Sequence, residues 1–267
     1  MPVEKMIVIS YNELFFKQKG YEMDDYKFTR DTYMDTYNTD IARRATAGGI
    51  LRQFNETATQ NMSAFRPSYD ELLDSGRALM VSRMDIEIPD PPFMEEPIQV
   101  STWPVLPKGA IIRRCYEMSK DGVLLARASS DWALVETASR KILRMTPDTF
   151  PNYRYGDYVN LFDKKFHISK ETAASMETAG THKVTLRDCD CNGHMNNTYY
   201  LDVLCDAIPE LYDYEHHWVN SVRLHFAKEA PLGSEITLRR CKDGDTYLFQ
   251  TFLEDGSLNI ECQIGIV

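Results

Sequence analysis

Slid against itself by 150 positions, this chain of 267 residues lays Asp40 on Asp190. At the same offset Thr46 meets Asn196, Ile50 meets Tyr200, Leu51 meets Leu201 and Phe54 meets Leu204. The order strand, helix, several strands also occurs twice. In the first half Ile50, Leu51, Phe54, Ala58, Met62 and Phe65 recur near helical spacing, and Pro67 makes continuation unfavourable. Residues 78–88, 97–103, 110–118 and 123–135 read as strands, with Asp121-Gly122 a hairpin dipeptide between the last two. In the second half, strands are expected at 182–186, 218–226, 234–240, 246–253 and 258–267, with a helix at 198–207 after the first. Asp255-Gly256 repeats the hairpin signal at an offset of 134 from Asp121-Gly122, so the second copy is sixteen residues shorter. A duplicated domain satisfies all of these observations. Residues 1–27 hold an apolar run and many aromatics without a legible role.

The two copies differ in chemistry. Where the second has Asn192 and His194, the first has Ala42 and Arg44, and only the aspartate is shared. One active site per chain follows. Spacing of two in extended backbone would turn Asp190, Asn192 and His194 to one side and Cys189 and Cys191 to the other. Gly193 permits a turn. Asn196, Asn197 and Thr198 suit a helix cap, and a helix N-terminus there would steady a carbonyl oxygen as it gains charge. Asp190 also suits a turn cap.

Metal readings fail on ligand count. Asp188-x-Asp190-x-Asn192-Gly193 matches the first half of a calcium loop, but Tyr199 stands where the bidentate Glu is needed. Cys189, Cys191 and His194 lack an evident fourth zinc ligand. No metal and no cofactor are therefore expected.

Composition narrows the class. With 43% hydrophobic and 26% charged residues the chain reads as an ordinary soluble globular protein. No apolar run approaches the ~18 residues of a membrane span. The first ten residues match neither a signal nor a transit peptide. Six cysteines in a chain of this size fit reduced thiols, so a cytoplasmic location is expected. A net charge of −10 argues against nucleic acid or an anionic membrane as main partner.

Asp-x-Asn-x-His at 190–194, followed by Met195-Asn196-Asn197 and Tyr200, resembles the signature of acyl–acyl carrier protein thioesterases. Further likeness lies in the helix at 48–62, in Ile98-Gln99-Val100-Ser101-Thr102-Trp103, in residues 126–132 and in residues 222–229. The resemblance implies an α+β tandem (double) hotdog, in which two antiparallel sheets each wrap a long helix. It divides the chain into an N-terminal hotdog with a degenerate site (1–145), a connector (146–180) and a catalytic C-terminal hotdog (181–267). It also implies hydrolysis of fatty acyl-carrier-protein thioesters, with Asp190, Asn192, His194 and Glu229 as site residues. An acyl-CoA thioesterase and a non-catalytic acyl-thioester binder are the alternatives. The family often carries Cys after the glutamate; Ala230 stands here, which favours attack by water. Glu229 is the preferred general base and His194 the rival for that role. The alternation Val222, Leu224, Phe226 turns Glu229 the other way unless a bulge intervenes. The expected partner is acyl carrier protein, docking through basic residues such as Arg113, Arg114, Arg140, Lys141 and Arg144; a homodimer is left open.

Overall fold

The computed structural model describes residues 21–163 and 166–267. The apolar run at 6–9 lies outside them. Eleven described strands form one antiparallel sheet: β1 (Tyr21–Asp24), β2 (Lys27–Tyr33), β3 (Arg77–Glu87), β4 (Pro97–Lys108), β5 (Ile111–Lys120), β6 (Val123–Glu136), β7 (Glu177–Lys183), β8 (Val219–Phe226), β9 (Glu235–Asp243), β10 (Thr246–Leu253) and β11 (Leu258–Ile266). Four α-helices among the described residues accompany it: α1 (Ala47–Phe65), α2 (Tyr69–Asp74), α3 (Lys170–Ser175) and α4 (Tyr199–Cys205).

The order across the sheet is β1-β2-β4-β5-β6-β3-β8-β11-β10-β9-β7. Outward from the centre, β3-β6-β5-β4-β2 is mirrored by β8-β11-β10-β9-β7, so each copy contributes the same five strands in the same order. The seam is antiparallel, running from Arg83 opposite His225 to Glu87 opposite Ser221. Each half wraps a helix, giving the tandem hotdog that the resemblance implies.

Helix α1 forms where the periodicity places it. Thr46 Oγ1 accepts from Gly49 N at 2.9 Å and closes its start. Ile50, Leu51 and Phe54 are fully buried, each worth about 1.5–3 kcal/mol against exposure. The Phe54 ring meets Tyr116 of β5 at 5.2 Å between centroids. Near its start α1 meets α4: Arg52 Nη1 donates to Asp202 Oδ2 at 2.6 Å, a pair that is itself 150 residues apart. A Cβ on Gly48 would stand 2.2 Å from Asp202 Oδ1, so a larger residue there would push this carboxylate aside.

Several elements depart from the sequence reading: β1 and β2 have no place in it, and β4 runs on to Lys108. β7 begins at Glu177 rather than 182, so the connector ends at 176. Its sequence is mostly polar because it is the outer edge of the sheet, and edge strands show no apolar alternation. Helix α4 has seven residues, stopping before the Ile208-Pro209 pair, where proline has no N–H and crowds the preceding turn. Helix α2 was not expected. Its start carries a reciprocal cap, with Ser68 Oγ accepting from Glu71 N and Glu71 Oε2 from Ser68 N.

Candidate active site

The loops at the two offset positions share one backbone design. Asp40 N donates to Arg44 O at 2.8 Å, and Asp190 N to His194 O at 3.1 Å. Arg43 N reaches Asp40 O at 2.9 Å, and Gly193 N reaches Asp190 O at 3.1 Å. The fourth turn residue has positive φ in both, 64° at Arg43 and 79° at Gly193. Thr39 bridges Ala45 as Cys189 bridges Met195. The side chains do the distinguishing.

Because residues 190–193 form a turn and not a strand, spacing of two does not converge the triplet. Asp190 turns inward to its own loop, where Oδ1 accepts from Asn192 N at 2.8 Å. It caps the turn and touches no other site side chain. Cys191 is exposed and lines the cavity, contrary to the expectation that it faces away. The Cys189 thiol is pushed up by burial, then by the Asp188 and Asp190 carboxylates. The helix start is also occupied differently from expectation. Thr198 N donates to Asn196 Oδ1 at 2.9 Å and Tyr199 N to Asn196 O at 3.1 Å, leaving neither for an oxyanion.

Glu229 arrives by a kink. Past β8, Ala227 N and Lys228 N both donate to Asn259 O, at 2.9 and 3.0 Å, which ends the alternation. The chain then pairs with the loop, with Met195 N on Ala230 O at 2.8 Å and Leu232 N on Gly193 O at 3.0 Å. Glu229 Oε1 thus comes to 3.5 Å from His194 Nε2, with both side chains about one quarter exposed.

Two residues that the sequence reading did not assign to the site complete it, both from the first copy. Tyr69, on α2, donates its hydroxyl to Asn192 Oδ1 at 2.8 Å. Burial raises the Tyr69 phenol, so it keeps that proton. With Oδ1 occupied, Asn192 presents its amide N–H groups to the cavity. Arg140, on the turn after β6, grips Glu229 bidentately at 3.0 and 2.9 Å. This contact raises the pKa of the guanidinium still further. Arg140 adopts φ of 59°, uncommon for a side chain of its size. The Ser68-x-x-Glu71 box was a readable signal for α2; nothing in the sequence pointed Arg140 at Glu229. Arg114, expected in a basic docking surface, is instead buried at 6% exposure, and Arg113 pairs with Asp131 at 3.1 Å.

Asn192, His194, Glu229, Tyr69 and Arg140 line one end of a cavity of about 1100 Å³. The cavity continues between α1 and the first copy's strands, past Met62, Leu79, Ile112 and Trp132. A histidine–carboxylate pair therefore sits at one end of a recess with a largely apolar lining. No three His, Cys, Asp or Glu among the described residues converge as a metal site.

The chain as a whole is similar to known proteins. Residues 25–153 fit the model of the acyl-ACP thioesterase N-terminal domain, and residues 170–262 that of its C-terminal domain. The chain belongs to the acyl-ACP thioesterase family. It is 23% identical over 252 residues to a chloroplastic acyl-[acyl-carrier-protein] hydrolase of Cuphea viscosissima, covering 86% of this chain and 59% of that one. It is likewise 23% identical over 204 residues to an oleoyl-acyl carrier protein thioesterase of Arabidopsis thaliana, covering 70% and 55%. The chain thus spans little more than half the length of these curated relatives. An acyl-ACP thioesterase from Bacteroides thetaiotaomicron has the same fold, with TM-score 0.81, 18% identity and coverage of 92% and 100%. So does the 12:0-ACP thioesterase from Umbellularia californica, with TM-score 0.78, 17% identity and coverage of 92% and 99%.

Proposed function

We propose that this chain hydrolyses fatty acyl–acyl carrier protein thioesters to free fatty acid and carrier protein at one site, formed by Asn192, His194 and Glu229 and held by Asp190. The observation that carries the reading is the His194–Glu229 pair at 3.5 Å on the mouth of an apolar cavity. The acyl chain enters the recess beside α1, and the thioester carbonyl stops between Asn192 and Glu229. Asn192 Nδ2 donates to the carbonyl oxygen and strengthens that bond as charge develops. Glu229 takes a proton from water while the water oxygen attacks the carbonyl carbon. Its two oxygens offer about four acceptor sites, so the Arg140 grip leaves room for the water. The tetrahedral intermediate collapses, the C–S bond breaks, and the proton passes through His194 to the leaving sulfur. Ala230 offers no nucleophile at the position after Glu229, which supports water in that role. The six free cysteines support a reducing, cytoplasmic location.

One acyl chain presented on carrier protein and on CoA tests the reading. Release of fatty acid with kcat/KM higher for the carrier-protein thioester is the expected result. Higher kcat/KM for CoA would assign an acyl-CoA thioesterase; tight binding without release would assign a binder.

A further inference from the structure

The deep end of the cavity holds a charge that a plain hydrocarbon chain leaves unused. Arg114 follows Ile112 and precedes Tyr116 on the inner face of β5, where alternation calls for apolar side chains. Only its Nη1 is engaged, donating to Asn61 Oδ1 at 2.9 Å and Thr102 Oγ1 at 3.3 Å, both neutral. No carboxylate pairs with it among the described residues. Buried cations ordinarily have such a partner, because desolvation without compensation is costly. Tyr153 lies beside it, its ring centre 5.9 Å from the guanidinium carbon. The Tyr153 hydroxyl is buried and finds no acceptor for its proton among the described residues. Burial pushes this phenol up to about 12, so it remains a donor.

Both residues line the cavity that opens at Glu229. Their depth follows from α1. Asn55 contacts Asn197 of the site loop at 3.1 Å, and Asn61, the partner of Arg114, is six residues further, roughly 9 Å along the helix. Ala58, Met62, Leu79 and Ile112 give the passage between a largely apolar wall, with Glu56 and Thr59 also on its α1 side. A largely apolar passage ending on spare donors and an uncompensated cation is complementary to a chain with an acceptor at its tip.

We propose that the cavity selects acyl chains whose far end carries an acceptor oxygen, a carboxylate or more weakly a hydroxyl, received by Arg114 and Tyr153. This rests on the acyl-thioester reading of the site and names its substrate class. Charge-assisted hydrogen bonds are the stronger kind, so the carboxylate should gain most.

The test uses pantetheine thioesters with methyl, hydroxyl or carboxylate ends across a ladder of chain lengths. At the length that places the oxygen at Arg114, kcat/KM should exceed that of the methyl-ended chain by about tenfold or more, as one charge-assisted hydrogen bond supplies. R114M should cut that preference to below about threefold, and Y153F, which removes only an oxygen, should reduce it in part. A methyl-ended chain equal or superior at every length overturns the proposal, whether or not R114M folds. Calorimetry with the wild-type protein keeps the two readings separate. If no thioester is cleaved, tighter binding of an α,ω-dicarboxylic acid than of the matching fatty acid still supports the inference, and equal or weaker binding overturns it.

Discussion

The two copies have the same strand order and the same loop backbone, yet one brings His194 to Glu229 and the other supplies the long helix beside the cavity. In the first, α1 runs for 19 residues and the cavity follows it. In the second, the helix ends after seven residues before Pro209. The loops part at the fifth position of the turn. His194 faces Glu229, whereas Arg44 lies over the Trp218 ring at 4.4 Å and donates to Tyr214 O, stitching the first copy to the second. Under the proposed function the two equivalent turns do different work, through side chains that differ on a shared backbone.

The division is most exposed to substitution at its extremes. H194A and E229Q should each lower kcat by ~10²–10⁴, the range for general acid–base groups, and the double variant should be little worse than either. R44A should leave kcat within a few-fold while lowering Tm. Full additivity of the first pair, or a kcat collapse in R44A, would break the assignment.

The caps give a finer contrast. Asp40 and Asp190 each satisfy one backbone N–H of the same kind of turn, at 2.9 and 2.8 Å. D40A and D190A should therefore cost similar stability, about 1 kcal/mol each by denaturant titration. Only D190A should also depress kcat, by tens-fold, since its turn carries Asn192 and His194. Equal activity loss in both would mean the first loop takes part in catalysis.

Arg140 sharpens the comparison from the other side, as a residue of the scaffolding copy that holds the catalytic carboxylate. Its side chain is 62% exposed, so solvent screens the contact. R140A should lower kcat about tenfold or less, and R140K should recover part of that, because a lysine reproduces the charge without the bidentate geometry. No change in R140A would reduce the contact to a surface ion pair.

Much of this arrangement was readable in advance. The period of α1 and the hairpin dipeptides depend on local rules, and these elements lie where the residues put them. The offset of 150 was recoverable from a handful of positions because the loop backbone repeats bond for bond. What failed depended on distance in sequence or on turn geometry. Alternation misdirected Cys191 because residues 190–193 turn. Arg114 reads as surface charge by residue type, although its place between Ile112 and Tyr116 sets it on the buried face of β5, and Arg140 reaches Glu229 across 89 residues.

The smallest expected effect separates the copies by pH. At the position of Asn38 in the first loop the second has Asp188, buried at 8% exposure. Burial alone would raise this carboxyl, but the Thr185 N–H and hydroxyl, at 2.7 and 2.8 Å, and His182 outweigh it and hold it below the usual range. A depressed carboxyl stabilises the fold above its unfolded pKa of about 3.9 and loses that contribution as pH falls through the folded value. Hydrogen exchange should accordingly show the second loop loosening below about pH 4, ahead of the first. D188N should flatten the acid dependence while changing Tm at neutral pH by about 2–4 °C.

The division of labour itself is tested most directly by a crystal structure of the E229Q variant with a non-cleaved acyl thioester bound. The account predicts one acyl thioester per chain, its carbonyl oxygen on Asn192 Nδ2 and its chain running between α1 and β5 of the first copy. A chain lying under α4 in the second copy, or a second thioester bound at the Asp40 loop, would contradict it.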